Sequence, residues 1–558
     1  MTPGFLGRIR GRPGWLAVGL VLLASARIVA THRVFSQTYD EPAHVAAGME
    51  WLDKGRYTYE LLHPPLARVA SAVLPYADGI RSMGNADIWK EGNDLLYARG
   101  TYGRNLALAR LGILPFFVLA AGVVWMWTTA LFGGRAALVA VAMFTTLPPV
   151  LAHAGLATTD MAAAATVALA LFALVRWLEA PTGARSTVLG IAMALAALSK
   201  VSGPVFLVAS VVPLLVVRWA MTFRQRAPVA GEPTPRVARR VGSLGVAAAA
   251  AVLVVWAGYR FSTGPLFTSS DGFHVRILDR VTGGNETIRD AVIAATHAPV
   301  YPAPEFVRGL SSVAWMNQAG RASYVLGSSH HGGVWYFFPV ALAVKTPVPF
   351  LILAVMGAVA VLRRRRWRDL APVLGAGAIM AVVIPMNINL GLRHVLPIYP
   401  LLAVIVGAAA AVEGSVRRRR IQAGLLLLLV AWQVISSIRA HPDYLAWFNE
   451  LARLRAEPVL LDSDLDWGQD LNRLADTLRA RRIPAVAIGY WGTADPERHG
   501  LPPVRRLAPG VPTTGWIAVS RYPLLSGTDY QWLRDRQPAA LIGKSMLLFH
   551  VSDTSASR

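Results

Sequence analysis

The sequence predicts an α-helical polytopic membrane protein: about eleven transmembrane helices, extracytoplasmic juxtamembrane helices and a small C-terminal extracytoplasmic α/β domain. Three observations carry that prediction. Apolar runs near the length of a bilayer span recur from about residue 15 to residue 438. Only 16% of the 558 residues are charged and 54% are hydrophobic, where a soluble chain carries roughly a quarter charged. The arginines gather in short loops between the apolar runs, as membrane topology uses them. The net charge of +23 therefore belongs to topology, and no nucleic-acid-binding module accompanies it. There is no cysteine, which excludes disulfides, thiolate metal sites and a cysteine nucleophile.

The first span covers about 15–30, after Arg8, Arg10 and Arg12. It resembles a signal peptide superficially, but eleven spans fit the charge pattern only if it is kept. A polar loop, 32–105, follows. The next spans are about 106–132, 136–154 with Pro148-Pro149 near its outer end, 161–178, a short one at 187–199, 205–219 after Gly203-Pro204, and 244–259. Pro228–Arg236 reads as a Pro-rich cytoplasmic linker. A second polar loop, 260–333, precedes spans at about 335–362, 370–385, 395–412 and 421–438. No internal repeat marks a transporter built from two halves.

With a cytoplasmic N-terminus, the basic runs Arg218–Arg240, Arg363–Arg368 and Arg417–Arg420 all fall inside, as the positive-inside rule requires. Both polar loops and everything after Ile438 then lie outside. The chain divides into a transmembrane part, 1–439, seated in the inner (cell) membrane, and an extracytoplasmic segment, 440–558. In that segment Val459–Leu461, Ala485–Tyr490, Ile517–Val519 and Met546–Val551 are strand-like, and Trp467–Arg481 and Tyr530–Gln537 are helical. That alternation is the mark of an α/β unit.

The most informative stretch is Tyr39–Leu66, which reads YDEPAHVAAGMEWLDKGRYTYELLHPPL. It places the adjacent carboxylates Asp40 and Glu41 about ten residues beyond a membrane exit. A helical run from Ala43 and a second one opened by His63-Pro64-Pro65 flank them. An Asp-Glu-Pro triplet is equally a common helix N-terminus, its acids complementing the helix dipole. Asp160, in Ala157-Thr158-Thr159-Asp160, falls on the same side; Thr-Thr-Asp is also a good N-cap sequence. Lys345 lies about ten residues inside the eighth span, where it must snorkel, pair with an acid or meet a ligand anion. Arg393 and His394 occupy the tight outer turn between spans nine and ten, where an arginine can simply hold the turn. Lys200 has the same ambiguity as an interfacial anchor. His330-His331-Gly332-Gly333 is a weak metal signal and reads as a flexible interfacial loop.

Together these residues describe a wet outer cavity with acids on one wall and cations on another. It suits a substrate with an anionic phosphate and a group to be transferred. Cations would stabilise the departing phosphate, and a carboxylate would take a proton from the acceptor hydroxyl. A divalent metal is another way to neutralise the phosphate; no ligand cluster demands one, and no other cofactor is implied.

Five motifs resemble glycosyltransferase family 39: YDEPAH from Tyr39, HPPL from His63, ATTDMAAA from Ala157, WYFFPVALAVKTP from Trp335 and LRHVLPIYP from Leu392. These are polyprenyl-phosphate-dependent enzymes of the C-type membrane fold, related to protein O-mannosyltransferases and the lipid A aminoarabinose transferase. YLAWFNEL from Tyr444 and DSDLDWGQDL from Asp462 resemble a signature of one bacterial branch, so the resemblance spans residues 39 to about 475. It implies that Asp40 is the catalytic base, that Glu41 shapes the acceptor or metal environment, and that Asp160 is an acid near the same cavity. It implies that Lys345, Arg393, His394 and His63 contact the donor phosphate or its lipid. The implied reaction is a single inverting displacement without a covalent intermediate. The donor would be a polyprenyl-phosphate sugar held in membrane lipid, and the acceptor a hydroxyl or amine on a glycan, lipid or protein. Asp464 stands where related sequences carry Asn, and Asp464–Asp466 reads as helix capping. A transporter or flippase of lipid-linked glycan is the competing reading; few acids lie deep inside the spans to support it. An outer ligand sensor would leave Asp40 and Glu41 without a purpose.

Overall fold

The computed structural model describes residues 12–552 apart from 224–234, 268–282, 284, 298, 412–414 and 456. Arg8, Arg10 and nearly all of the Pro228–Arg236 linker lie outside the described residues. After α1 (Arg12–Thr31) the chain leaves the apolar layer and builds a helical cap. The cap holds α2 (Glu41–Met49), which runs into a π-helical turn at Glu50–Lys54, then α3 (Pro65–Ala77), α4 (Ile88–Leu96) and α5 (Tyr102–Leu111). Pro42 and Pro65 sit in first turns, where the missing N–H removes no hydrogen bond. The cap is tight because glycine lets helices touch. A Cβ on Gly48 of α2 would meet the Arg68 carbonyl oxygen at 2.0 Å, and one on Gly92 of α4 would meet the Pro42 carbonyl oxygen at 2.1 Å.

The first group of apolar helices is α6 (Leu114–Phe132), α7 (Gly134–Phe144), α8 (Pro148–Ala154), α9 (Asp160–Glu179), α10 (Gly183–Ser199), α11 (Ser202–Phe223) and α12 (Pro235–Gly258). A second excursion carries β1 (Thr263–Gly264), α13 (Glu286–His297), β2 (Tyr301–Pro302), α14 (Pro304–Ala319), β3 (Ala322–Val325) and β4 (Ser328–His331). The last two form a hairpin with Ala322 opposite His331 and Ser323 opposite His330, so the His-His pair lies on a strand and not in a flexible loop. The bundle closes with α15 (Phe337–Lys345), α16 (Val348–Arg364), α17 (Trp367–Val383), α18 (Ile398–Ala410) and α19 (Val416–Ala440). At its centre is α9, whose alanines (Ala162, Ala163, Ala164, Ala165, Ala168) are buried. Small residues there let neighbouring helices approach closely, the packing that replaces a hydrophobic driving force inside lipid.

All eleven apolar runs of the sequence fall on helices, yet fewer meet the length and composition of a span. Among the described residues six helices do, or up to eight if the bent pairs α7–α8 (70°) and α15–α16 (112°) each count as one. The difference is physical. Helices α10, α17 and α18 have 17, 17 and 13 residues, short of the roughly 20 that a straight span needs. The two bent pairs break at prolines, which end a helix by removing a donor and clashing with the preceding turn.

Beyond α19, Tyr444, Val459 and Leu460 still join the bundle core. The rest is α20 (Leu471–Ala480), β5 (Val486–Gly489), β6 (Val504–Arg506), β7 (Gly515–Ser520), α21 (Arg521–Ser526), β8 (Ala540–Ile542) and β9 (Met546–Val551). The strands form one sheet in the order β6-β5-β7-β9-β8, with β5 parallel to β6 and β7, and β9 antiparallel to β7 and β8. Residues alternate between its faces, as strand geometry requires. Val486, Ile488 and Ala518 pack with Leu471, Leu474 and Leu478 of α20, while Ala487, Ile517 and Val519 pack with Leu524, Tyr530 and Leu533. The helix expected over Tyr530–Gln537 is only a 3₁₀ turn at Gln531–Leu533. That run is too short to repay helix nucleation, and burial of Tyr530 and Leu533 fixes it instead.

Candidate active site

The two adjacent acids go separate ways. Glu41, in the first turn of α2, is fully buried and accepts five hydrogen bonds. Arg110 of α5 grips both oxygens at 2.8 Å, Ala157 N–H donates at 2.9 Å, and Thr38 donates through its N–H at 2.7 Å and its hydroxyl at 3.1 Å. Burial alone would raise this carboxyl; the Arg110 charge and these hydrogen bonds outweigh it and hold the group below the usual range. Arg110 also donates to the His32, Phe35 and Ser36 carbonyls, so the pair anchors the whole 32–41 loop. Asp40 holds the N-cap position of α2 but makes no capping bond. Its Oδ2 accepts from Arg393 Nη1 at 2.5 Å, and its side chain is 21% exposed. Arg393 in turn lies over the Trp467 ring, 4.3 Å from the centroid.

Asp160 opens α9, and it too caps nothing; Thr159 is the N-cap residue and makes no side-chain cap bond. Its Oδ1 instead accepts from Lys200 Nζ at 2.6 Å, at the end of α10, with His153 Nδ1 of α8 at 3.9 Å from Oδ2. Arg393 lies within electrostatic reach of both Asp40 and Asp160. His394 lies within reach of Lys200, Arg393, Asp160 and His63. Four buried polar atoms in this cluster have no hydrogen-bond partner among the described residues: Asp160 Oδ2, His153 Nδ1, His394 Nε2 and Arg393 Nε. Native structures rarely leave buried polar groups unpaired, so a concentration of them marks a place for a ligand or water.

His63 stands on the adjoining wall. Its Nδ1 is 3.3 Å from Glu60 Oε2 and its ring meets His44 edge-on at 5.0 Å. Buried Arg68 binds Glu60, and donates to His44 Nδ1 at 3.0 Å and to the Tyr57 hydroxyl at 3.1 Å. Lys345 is placed differently. Its Nζ donates to the Leu445 carbonyl at 2.6 Å and the Asp464 carbonyl at 2.7 Å and lies 4.2 Å from the centre of the Phe448 ring. It thus ties the end of α15 to the chain beyond α19.

The Asp462–Asp470 run does not cap a helix. Asp464 accepts the Leu392 N–H at 3.2 Å on both carboxylate oxygens and so steadies the 3₁₀ turn Leu392–Val395 that carries Arg393 and His394. Asp466 accepts the Tyr522 N–H at 2.8 Å. Asp470, the N-cap residue of α20, spends its carboxylate on Lys544 and Ser545. The capping expectation failed because these acids find amides distant in sequence that satisfy them better than their own helix. Asp462, at φ 49°, lies within electrostatic reach of Arg393 and Asp40. Burial pushes its carboxyl up to about 7, with Arg393 pulling down and Asp40 pushing up.

Sequence reasoning named Lys200 only as an anchor and passed over Arg110, Arg68, Glu60, His44, His153 and Asp462. Arg110 and Arg68 did leave a signal, each an arginine inside an otherwise apolar helical run. Among the described residues no group of three or more His, Asp or Glu side chains is gathered to hold a metal ion.

Fold and cluster together define a multi-pass membrane protein whose helix ends gather paired acids and cations with unpartnered polar atoms. Residues 102–232 match the dolichyl-phosphate-mannose-protein mannosyltransferase family. The chain is similar in fold to ArnT from Cupriavidus metallidurans bound to undecaprenyl phosphate, with 14% identity, TM-score 0.50, and coverage of 96% of this chain and 98% of that one. It is also similar to the S. cerevisiae protein O-mannosyltransferase Pmt1-Pmt2 complex bound to the sugar donor, with 12% identity, TM-score 0.51, and coverage of 78% and 91%. No curated protein matches the sequence. Residues 102–232 thus match that family's model, and the chain as a whole shares the fold of ArnT and of Pmt1-Pmt2.

Proposed function

We propose that this protein transfers a sugar from a polyprenyl-phosphate donor to an acceptor hydroxyl or amine on the extracytoplasmic face of the cell membrane. Four unpartnered buried atoms around Arg393 and Asp160 carry this reading, because an anionic phosphate would satisfy the donors among them. The undecaprenyl phosphate and sugar donor bound by the two similar structures support the same donor class. The face is taken as extracytoplasmic, and the N-terminus as cytoplasmic, from the arginine runs at Arg363–Arg368 and Arg417–Arg420. The chemistry is assigned to the transmembrane part, 1–439, together with the turn 462–469 lent to it by the outer segment 440–558.

In this reading the acceptor oxygen attacks the anomeric carbon as the bond to the lipid phosphate breaks, with inversion. Arg393 engages Oδ2 of Asp40, and the carboxylate takes the acceptor proton. Lys200 and Arg393 balance the charge that grows on the departing phosphate, and the His394 and His63 rings supply hydrogen bonds to it. Asp160 holds Lys200 in place. Glu41, with every lone pair engaged, anchors the loop and takes no part in proton transfer. Lys345 acts through Asp464, by fixing the turn that presents Arg393.

The test is transfer by the purified protein and its Asp40→Asn variant with a panel of undecaprenyl-phosphate sugars. The variant should lose about 10²–10⁴-fold in turnover and keep its affinity for undecaprenyl phosphate. Undiminished transfer would remove Asp40 as the base.

A further inference from the structure

The loop that delivers Asp40 is fastened to the C-terminal segment at several points. Ser36 N–H donates to the Gln469 carbonyl at 3.0 Å and Tyr39 N–H to the Trp467 carbonyl at 2.9 Å. The Thr493 hydroxyl donates to the Tyr39 carbonyl at 3.0 Å, and Asn93 of α4 donates to the Thr493 carbonyl at 2.9 Å. On this frame stands a row of four aromatic rings, each partly exposed. Trp89 meets Tyr39 edge-on at 5.3 Å, Tyr39 meets Trp491 at 5.3 Å, and Trp491 stacks on Tyr522 at 4.3 Å. The row passes through the residue next to Asp40.

We propose that this row is an acceptor subsite that takes the ring of a sugar, so that the acceptor is a glycan; the proposal rests on the transferase reading above. A pyranose presents a face of C–H bonds that packs on an aromatic ring, and hydroxyls at its rim that donate to carboxylates. Both halves of that requirement are present. Tyr39 lies within electrostatic reach of Asp40 and Asp462, with Arg321 as the cation on that side. The Trp491 indole N–H has no acceptor among the described residues, and a sugar oxygen would supply one. Asp462 sits in the left-handed region, a conformation that surrounding structure must impose and that gathers at functional sites.

Two other occupants fit less well. Rings that merely glue two units together would be buried, and these four are partly open. A peptide that binds by adding a strand needs a free sheet edge; the edges of the C-terminal sheet are β6 and β8, whereas the strand that leads to Trp491 is the interior β5.

The test uses the full-length protein in lipid nanodiscs. Saturation-transfer NMR follows methyl glycosides, short oligosaccharides and a Ser/Thr peptide, while undecaprenyl phosphate binding is measured separately. Wild type should bind glycosides and not the peptide. Trp491→Ala should weaken the glycosides about tenfold or more and leave undecaprenyl phosphate affinity unchanged. Asp462→Asn, which keeps the side-chain shape, should weaken them by a smaller factor. Tyr522→Leu replaces Trp491→Ala if the latter does not fold. Peptide binding in place of glycosides overturns the subsite, as does glycoside binding that the variants leave unaltered. No glycoside signal from protein that binds undecaprenyl phosphate also overturns it. Glycosides bound at Trp491 by protein with no affinity for undecaprenyl phosphate would remove the transferase reading and leave the subsite standing.

Discussion

Asp40 and Glu41 are neighbours in sequence and opposites in surroundings. Glu41 faces inward to Arg110, with five hydrogen bonds and no exposure; Asp40 faces a cluster that is partly open, with Arg393 on one oxygen. A carboxylate whose lone pairs are all engaged has no room to receive a proton from a substrate. One with a partner on a single oxygen does. The difference teaches that an acid pair at a membrane exit is two devices. One fixes the loop, and the other is presented by it.

The largest expected effect tests the fixed half. Glu41→Gln leaves the Arg110 guanidinium buried without its counter-charge, and removing one partner of such a pair costs about 3–5 kcal/mol. Thermal unfolding in detergent should show this as a much lower midpoint than that of Asp40→Asn. Replacing both partners by apolar residues, Glu41→Leu with Arg110→Met, should recover part of the loss, because no unpaired charge then remains. Equal destabilisation by Glu41→Gln and Asp40→Asn would break the comparison and make Asp40 a second anchor.

That contrast was out of reach of the sequence, for a reason visible in particular residues. The helices were legible because hydrocarbon enforces long apolar runs, and the strands at Val486–Gly489 and Gly515–Ser520 because alternation survives in a half-buried sheet. The positions of Asp40, Asp160 and Arg393 on one face were legible from topology alone. Their partners were not. Glu41 meets Arg110 across 69 positions and Asp40 meets Arg393 across 353, and no local pattern records such pairings. The same blindness produced the capping expectations for Asp160 and for Asp464–Asp466. Each acid has a plausible local use, and each is claimed by a distant cation or amide instead. All eleven apolar runs are helical, but among the described residues only six to eight helices meet the length and composition of a span, because of the bends beside Pro148 and Pro347 and the shorter α10, α17 and α18.

A smaller effect sharpens the open half. Lys200 pairs with Asp160 near the four unpartnered atoms, and its side chain is 11% exposed. If it balances donor phosphate, Lys200→Met should weaken undecaprenyl phosphate binding by about tenfold, the range of one charge-assisted hydrogen bond. Wild-type affinity should fall as salt rises, and the variant's should fall less steeply, Arg393 being the cation that remains. Unchanged affinity would assign Lys200 to holding Asp160 alone.

The smallest effect compares Glu41 with another buried acid, Asp466, whose carboxylate accepts from the Tyr522 and Gly468 amides and has Arg521 only within electrostatic reach. Burial pushes the Asp466 carboxyl up to about 8; the Tyr522 and Gly468 N–H groups pull down, and the nearby Asp470 and Asp462 push up further. The signs are therefore opposite. Glu41, held below its ordinary 4.5, gives stability that is present above that pH and lost in acid. Asp466 binds its proton more tightly folded than unfolded, so its share is full below about pH 3.8 and declines as pH rises toward 8. Asn in its place keeps an oxygen for the Tyr522 N–H and carries no charge to desolvate. Asp466→Asn should then gain on wild type steadily from pH 5 to pH 8, read as the difference between their thermal midpoints. A difference that stays flat over that range would mean that Asp466 is already ionised in the folded protein. Its two amide donors would then do for a carboxylate what Arg110 does for Glu41.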